Sequence, residues 1–175
     1  IKDHSKEPFF LYFAHTFPHI PLYTNARFEG TSKRGLYGDV VEEIDWSVGE
    51  VLKALRENGL DENTFVIFTS DNGPHHEGGA DPDFFKSYGP FRGIKRDVYE
   101  GGIRIPMVAW CPGTIKAGAQ SDHISAFWDV MPTLAELTGT VLPEQTDGIS
   151  FLPTLLSKKN QQAHNYLYWE FHELN

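Results

Sequence analysis

Cysteine is almost absent from this sequence, since Cys111 is the single one among 175 residues. A lone thiol excludes an internal disulfide, and it also excludes a zinc site built from several thiolates. Cys111 follows an apolar run and precedes Pro112-Gly113. We therefore interpret it as a small buried hydrophobic side chain at the end of a strand rather than as a reactive thiol.

Long apolar runs and an excess of positive charge are also missing. No segment approaches the roughly 18 uninterrupted apolar residues that a membrane helix requires. Lysine and arginine number 15 against 24 acidic residues, which gives a net charge of -9. Because a surface of this sign repels phosphate backbones, we expect no nucleic-acid partner. The short apolar runs likewise lead us to expect no membrane span. With 40% hydrophobic and 14% aromatic residues, the composition instead predicts one globular unit with a sizeable core.

Short apolar runs bounded by polar or turn-forming residues predict strands that are buried on both faces. These runs are residues 9–14, 65–69 and 105–110. A further segment, 167–171, alternates sufficiently to predict a strand that opens another sheet.

Helical periodicity is clearest in the segment that begins at Tyr37. Apolar residues recur there at spacings of three and four as far as Leu55, and Asn58-Gly59 would end the helix. A second helix is predicted over residues 129–138, where a proline falls in the first turn and Gly139 follows the last one.

Polar loops follow the first two predicted strands. One spans residues 15–23 and is rich in histidine and proline, and the other spans residues 70–74. A strand, a crossover helix and a second strand form a right-handed unit whose ligands bind at the carboxyl ends of the strands, where both loops fall. The stretch 74–104 is rich in glycine and proline and lacks periodicity, and loops of that length tend to be functional.

Asp71 and Asn72 are candidates for a metal site. They directly follow a predicted strand and offer a carboxylate and an amide oxygen on adjacent residues. Such oxygens suit a hard cation such as Ca²⁺ or Mg²⁺. The sequence Asp-Asn-Gly is also common in turns, so an ordinary Asx turn is the alternative interpretation.

His19 and Lys95 are candidates for catalysis. His19 lies between Pro18 and Pro21, which restrict the backbone and favour one direction for the imidazole, as a general acid or an oxyanion contact requires. Lys95 lies shortly before Gly101, in a segment where glycines let the backbone pass close to other groups, and its ammonium would neutralise an anionic ester. The alternatives are a surface or structural histidine and a solvated basic loop.

Four motifs, taken together and in this order, resemble the later motifs of type I sulfatases, most closely those of bacterial arylsulfatase A-like enzymes. They are His-Thr-Phe-Pro-His-Ile-Pro (15–21), Thr-Ser-Asp-Asn-Gly-Pro-His (69–75), Gly-Pro-Phe-Arg-Gly-Ile-Lys-Arg (89–96) and Tyr-Glu-Gly-Gly-Ile-Arg-Ile-Pro (99–106). The resemblance covers nearly the whole chain. It extends to structural positions, namely Asp129 with Pro132-Thr133, and Asp147-Gly148 with Phe151.

The resemblance implies an α/β fold of the alkaline-phosphatase-like type, a sandwich in which helices flank a mainly parallel sheet. A small antiparallel C-terminal subdomain would follow. We accordingly expect residues 1–160 to be the C-terminal part of the catalytic domain and residues 161–175 to hold the truncated first strand of the subdomain. Both ends of the chain look cut.

The resemblance also implies roles for the candidate residues. Asp71 and Asn72 correspond to two ligands of a Ca²⁺ ion, Lys95 to the lysine that contacts the sulfate, and His19 to the histidine beside the ester oxygen. A cation and a lysine would together offset charge on the sulfate oxygens in the transition state. Further candidates, which would contact the substrate, are His75, His76 and Arg92, although a solvated loop is the alternative for the histidines.

The nucleophile of this family is not in the sequence. These enzymes attack with a formylglycine made in a Cys/Ser-x-Pro-x-Arg motif, together with two further metal-binding aspartates, another lysine and another histidine, all earlier in the chain. Cys111 is followed by Pro-Gly-Thr-Ile, which is not that motif. We therefore expect this chain alone to be inactive.

The implied function is hydrolysis of a sulfate ester, with a sulfated small molecule or glycan as substrate. One alternative is a phosphodiesterase or phosphomutase of the same superfamily. Such enzymes commonly hold two transition metals through several histidines, whereas Asn72 after Asp71, together with Lys95, favours one hard cation and a sulfate. The other alternative is a non-catalytic truncated scaffold. By resemblance alone, the location is periplasmic or secreted, or lysosomal in a eukaryote.

Overall fold

The computed structural model describes residues 1–142 and 146–172. The chain divides into two compact units, which we describe separately. Among the described residues, the first contains Ile1–Thr64, Thr69–Met107, Phe171 and His172, and the second contains Phe65–Phe68 and Val108–Glu170. The α-helices are α1 (Gly35–Glu57), α2 (Pro82–Phe85), α3 (Glu100–Ile103), α4 (Val130–Thr138) and α5 (Leu152–Leu155), and the strands are β1 (Val66–Thr69) and β2 (Met107–Trp110). Single 3₁₀ turns occur at Lys2–His4, Asp61–Asn63 and Phe127–Asp129.

Helix α1 is the longest described element and confirms the helix predicted from residue 37 onward. Its apolar positions bury one face, with Val40 0% and Leu55 1% exposed. The helix ends where the sequence indicated, because Asn58 is its C-cap and Gly59 adopts a φ of 65°, a left-handed conformation that favours glycine.

Acidic side chains on α1 hold the segment before it. The buried carboxylate of Asp39 accepts hydrogen bonds from the backbone N–H groups of Ser32 (2.7 Å) and Gly30 (2.9 Å). One turn further along, Glu43 accepts from the Thr24 hydroxyl at 2.6 Å and from the Asn25 N–H at 3.0 Å. These bonds keep the pKa of Glu43 below its usual range. The histidine-rich segment therefore continues into a loop that is anchored on α1.

The predicted strands at 65–69 and 105–110 are confirmed as β1 and β2, which pair with each other. Cys111 follows β2 directly and is 2% exposed, as expected for a small buried side chain. The long stretch 74–104 is mostly irregular, as predicted, and contains α2 and α3 of four residues each.

The strands predicted at 9–14 and 167–171 are not formed, so these two predictions are wrong. Most of their apolar side chains are exposed instead, with Phe10 76% and Tyr12 80% accessible. A strand needs a neighbour for its backbone N–H and C=O groups, and the sheet found among the described residues contains β1 and β2 but neither of these segments. The division of the chain at residue 160 stays a prediction.

The core of the second unit lies between α4 and α5. Helix α4 confirms the helix predicted at 129–138, and Gly139 closes it with a φ of 68°. Three side chains of α5 and its N-cap are buried, namely Phe151, Leu152 and Leu155. The structure is thus α/β, while the mainly parallel sheet of the resemblance stays a prediction. Among the described residues, no helix is long and apolar enough to cross a membrane.

Candidate active site

The turn after β1 carries the two predicted metal ligands. The Ser70 hydroxyl donates to the Asn72 carbonyl at 3.3 Å, and the Asn72 side-chain amide donates to the Gly73 carbonyl at 2.8 Å. This bond uses the nitrogen of the amide and leaves its oxygen without a partner among the described residues. The exposed Asp71 carboxylate likewise accepts no hydrogen bond from a described residue. Two oxygen ligands on adjacent residues are therefore available.

Backbone hydrogen bonds tie this turn to the glycine-rich loop. Gly73 N–H donates to the Gly102 carbonyl at 2.8 Å, and Lys95 N–H donates to the Pro74 carbonyl at 2.7 Å. Gly73 has no room for a side chain, since a Cβ there would collide with the carbonyl oxygen of Gly101. The close approach of these backbones fixes the start of the Lys95 side chain beside the turn that follows β1.

His75 is held in one neutral tautomer. Its Nδ1 accepts the backbone N–H of Glu77 at 3.0 Å, so the proton must sit on Nε2. Partial burial and then the Lys95 ammonium lower the pKa of His75, and His19 and Arg96 add to this, while Glu77 opposes it. His75 therefore presents Nε2–H as a hydrogen-bond donor at neutral pH.

His19 is oriented in the opposite sense. Its Nδ1 lies 2.8 Å from the Ile20 carbonyl oxygen, which can only accept, so this nitrogen carries a proton. Its backbone N–H donates to the Thr16 carbonyl at 3.2 Å, which closes a turn. The imidazole is exposed, and its ring centroid lies 5.8 Å from that of His75. Nε2 of His19 is therefore the nitrogen that would exchange a proton with a ligand.

The other residues predicted to contact substrate are placed differently. His76 is exposed and makes no side-chain hydrogen bond with a described residue. Arg92 stacks its guanidinium 3.9 Å from the centre of the Tyr99 ring, and its carbonyl accepts the Gly101 N–H. Asp81, which lies in the same loop, caps α2 by accepting from the N–H groups of Asp83 and Phe84, which is a structural role.

The structure thus places the rings of His19 and His75 5.8 Å apart, and the Lys95 ammonium contributes to the lowered pKa of His75. It gives Asp71 no side-chain contact with any of them, although its turn is joined to the Lys95 backbone. Within residues 1–142 and 146–172, no three His, Cys, Asp or Glu side chains gather as a metal cluster would. The roles of the predicted site residues stay predictions.

One pair near the site was missed by sequence reasoning. Arg96 forms an ion pair with Glu77, with 3.1 Å between Nη1 and Oε1. Arg96 follows Lys95, and Glu77 follows His76. The opposite charges of these two residues were the signal from which an ion pair could have been predicted.

Comparison with known proteins identifies the family. A family model described as Sulfatase matches residues 1–140. The chain belongs to the sulfatase family. This match includes the loops that carry His19, Asp71 and Lys95.

Individual sulfatases are similar over most of the chain. N-acetylgalactosamine-6-sulfatase of Mus musculus is 44% identical over 162 residues, which cover 88% of this chain and 30% of the mouse protein. A solved structure from Bacteroides thetaiotaomicron, described under the metabolism of multiple glycosaminoglycans, is 36% identical with a TM-score of 0.80. The alignment covers 93% of this chain and 35% of the Bacteroides chain. The chain therefore spans about a third of the length of these proteins and shares their fold over that part.

The same fold also occurs with other chemistry. A phosphonate monoester hydrolase of Agrobacterium radiobacter is 24% identical with a TM-score of 0.62, and it covers 81% of this chain and 26% of that chain. At this identity the likeness shows a shared fold alone, so the function must be argued from the site.

Proposed function

We propose that this chain carries part of the active site of a sulfatase that hydrolyses the sulfate ester of a sulfated carbohydrate. The observation that carries the proposal is the pairing of His19 with His75 beside the backbone of Lys95, which bonds to the residue before His75, in a chain that belongs to the sulfatase family. The name of the mouse relative, N-acetylgalactosamine-6-sulfatase, supports an amino sugar 6-sulfate as the first substrate to test.

Each of these side chains has a distinct chemical task in the proposal. The Lys95 ammonium binds the sulfate oxygens and stabilises the negative charge that grows on them in the transition state. His19 serves as the proton donor to the departing sugar oxygen through Nε2, while the Ile20 carbonyl accepts from Nδ1 and orients the ring. His75 remains neutral and donates Nε2–H to a substrate oxygen. His76 and Arg92 are proposed to contact the organic part of the substrate.

A Ca²⁺ ion fits the oxygen atoms of Asp71 and Asn72, which no described residue engages by hydrogen bonding. When bound, it would supply a positive charge beside the sulfate oxygens. Calcium takes roughly six to eight oxygen ligands, so these two residues would supply a minority of the set. We propose that the remaining ligands come from sequence outside the described residues.

A formylglycine nucleophile does not fit this chain. The sequence contains no Cys/Ser-x-Pro-x-Arg motif, and Cys111 is buried and precedes Pro-Gly-Thr-Ile. We propose that the nucleophile lies in the part of the enzyme that this chain does not span. By resemblance to the family, a periplasmic, secreted or lysosomal location is proposed for the complete enzyme.

The test is substrate discrimination by the complete enzyme that contains this segment. N-acetylgalactosamine 6-sulfate and the matching 6-phosphate differ in the ester and share the sugar, so release of sulfate and of phosphate can be measured side by side. The proposal predicts that kcat/KM for the sulfate ester exceeds that for the phosphate ester. A preference for the phosphate ester would contradict the sulfatase proposal and favour phosphoryl chemistry of the same superfamily, which a phosphodiester substrate and a phosphomutase assay would then separate. Hydrolysis of neither ester, with a panel of other sulfated sugars also inert, would favour the non-catalytic scaffold.

A further inference from the structure

Glu77 and Arg96 join two loops of the candidate site. Their ion pair spans 3.1 Å, and both side chains are about half exposed. An exposed pair of this kind contributes little to the stability of a fold, because water and salt screen it. The interest of this pair lies instead in its position, because it connects the loop that carries His75 to the loop that carries Lys95.

The pair closes a ring of contacts around His75 and Lys95. The backbone N–H of Glu77 donates to Nδ1 of His75, and the carboxylate of Glu77 binds the guanidinium of Arg96. Arg96 adjoins Lys95, whose backbone N–H donates to the carbonyl of Pro74, the residue before His75. One backbone N–H group thus bonds to the His75 ring, and the backbone N–H of Lys95 bonds to Pro74. The ion pair joins Glu77, two residues after His75, to Arg96, the residue after Lys95.

The backbone of Arg96 is strained, which also favours a role for this residue at the candidate site. This residue has a φ of 81°, in the left-handed region where a side chain is disfavoured and glycine is not. Such strain is kept when surrounding contacts over-determine it, and it concentrates at functional sites. A glycine would satisfy the backbone of residue 96 better, and the side chain that stands there instead forms the ion pair with Glu77.

We propose that Glu77 and Arg96 are positioning residues that hold His75 and Lys95 in register for a shared anionic group, without touching the substrate themselves. The proposal rests on the sulfatase function proposed above and deepens it, because it assigns how the donor side chains are oriented. Four charged or titratable groups act on the imidazole of His75, namely Lys95, Arg96, His19 and Glu77. The first three disfavour its protonation, and Glu77 favours it.

The test uses the complete enzyme with three substitutions at the pair. Glu77→Gln removes the negative charge and keeps the backbone N–H that caps His75. Arg96→Gly removes the guanidinium and relieves the left-handed backbone, and Arg96→Lys keeps the charge. The matched control is Glu57→Gln, which removes the exposed Lys53–Glu57 ion pair of α1. The titration of His75 is followed by NMR of histidine ring carbons, and kcat and KM are measured against pH.

Opposite shifts are the expected result, because the two side chains act on His75 with opposite sign. Glu77→Gln should lower the pKa of His75 further and move the acidic limb of kcat/KM to lower pH, whereas Arg96→Gly should raise it and move that limb to higher pH. Each should also reduce kcat roughly 10- to 100-fold through misplacement of the donors. Arg96→Lys should restore the wild-type titration, and Glu57→Gln should leave it unchanged.

Shifts in the same direction, or none beyond that of Glu57→Gln, would overturn the positioning role. If the wild-type enzyme releases no sulfate, the proposed function fails, and the NMR titration still decides whether the pair controls His75.

Discussion

His75 has a lowered pKa, which favours the neutral imidazole and which its neighbours in the sequence do not predict. The sequence predicted only that His75 lies in a loop that would contact substrate, whereas the hydrogen bond from the Glu77 N–H to its Nδ1 and the effect of the Lys95 ammonium on its pKa depend on the folded backbone. His19 was easier to select as a candidate, because prolines flank it, and its role stays a prediction. Lys95 was also selected from the sequence, because the glycines around it predict that backbone segments approach each other closely there. Contacts between loops distant in sequence were not readable without the fold.

Stability should depend on pH through His75. Since its pKa is lowered in the folded state, the unfolded chain binds more protons between the folded pKa and the ordinary value of about 6.5. The contribution of this residue is therefore fully present above about pH 6.5 and declines as pH falls toward the folded pKa. We expect His75→Gln to make the free energy of unfolding less sensitive to pH in this window. Urea unfolding at about pH 7.5 and about pH 5.5 measures this, and an equal pH dependence in the two proteins would contradict it.

At the scale of elements, periodicity succeeded where an element is stabilised locally. Helix α1 was predicted because its apolar spacing, its Asn58-Gly59 stop and its internal hydrogen bonds all lie within one segment. Strands β1 and β2 were also predicted, and they pair with each other in the structure. The segment 9–14 has equally apolar residues, but a strand depends on neighbours, and no described residue supplies one. Composition predicts the tendency of such a segment and not its pairing.

The N-terminal turn of α4 is organised around the buried carboxylate of Asp129. It accepts from the N–H groups of Ala126 (2.7 Å) and Ile149 (2.8 Å) and from Nε2 of His164 (2.8 Å). Its backbone carbonyl accepts from the Thr133 hydroxyl at 2.6 Å. The sequence marked Asp129 through the family resemblance, whereas the partnership with His164 appeared only in the fold. This residue therefore links three segments of the second unit.

Asp129→Asn should consequently be strongly destabilising. The new amide group would face a donor where an oxygen had accepted, which leaves a buried hydrogen bond unmade and costs about 1–3 kcal/mol of the free energy of unfolding. Asp122→Asn, at an exposed position of the same unit, is the control and should change stability by less than about 0.5 kcal/mol. Urea unfolding followed by tryptophan fluorescence compares them. Equal stability of the two variants would show that the Asp129 network is dispensable.

At the scale of the whole molecule, the chain represents about 30% of the length of its mouse relative. It holds three candidate donors, His19, His75 and Lys95, and two candidate metal-binding oxygens, but no nucleophile motif. Its exposed apolar segment 9–14 is consistent with further sequence packing there in the complete enzyme. We therefore propose that this chain supplies a share of a catalytic centre rather than a whole one.

The most direct test of that assignment is the rate of sulfate release by the complete enzyme carrying Lys95→Ala, compared with wild type and with Lys33→Ala. Lys33 is an exposed lysine of the same unit and serves as the matched control. Because the Lys95 ammonium acts mainly in the transition state, its removal should lower kcat roughly 100-fold or more, with the melting temperature close to that of wild type. Lys33→Ala should retain wild-type kcat. A Lys95→Ala enzyme that turns over as fast as the Lys33→Ala control would contradict the proposed role of this chain in catalysis.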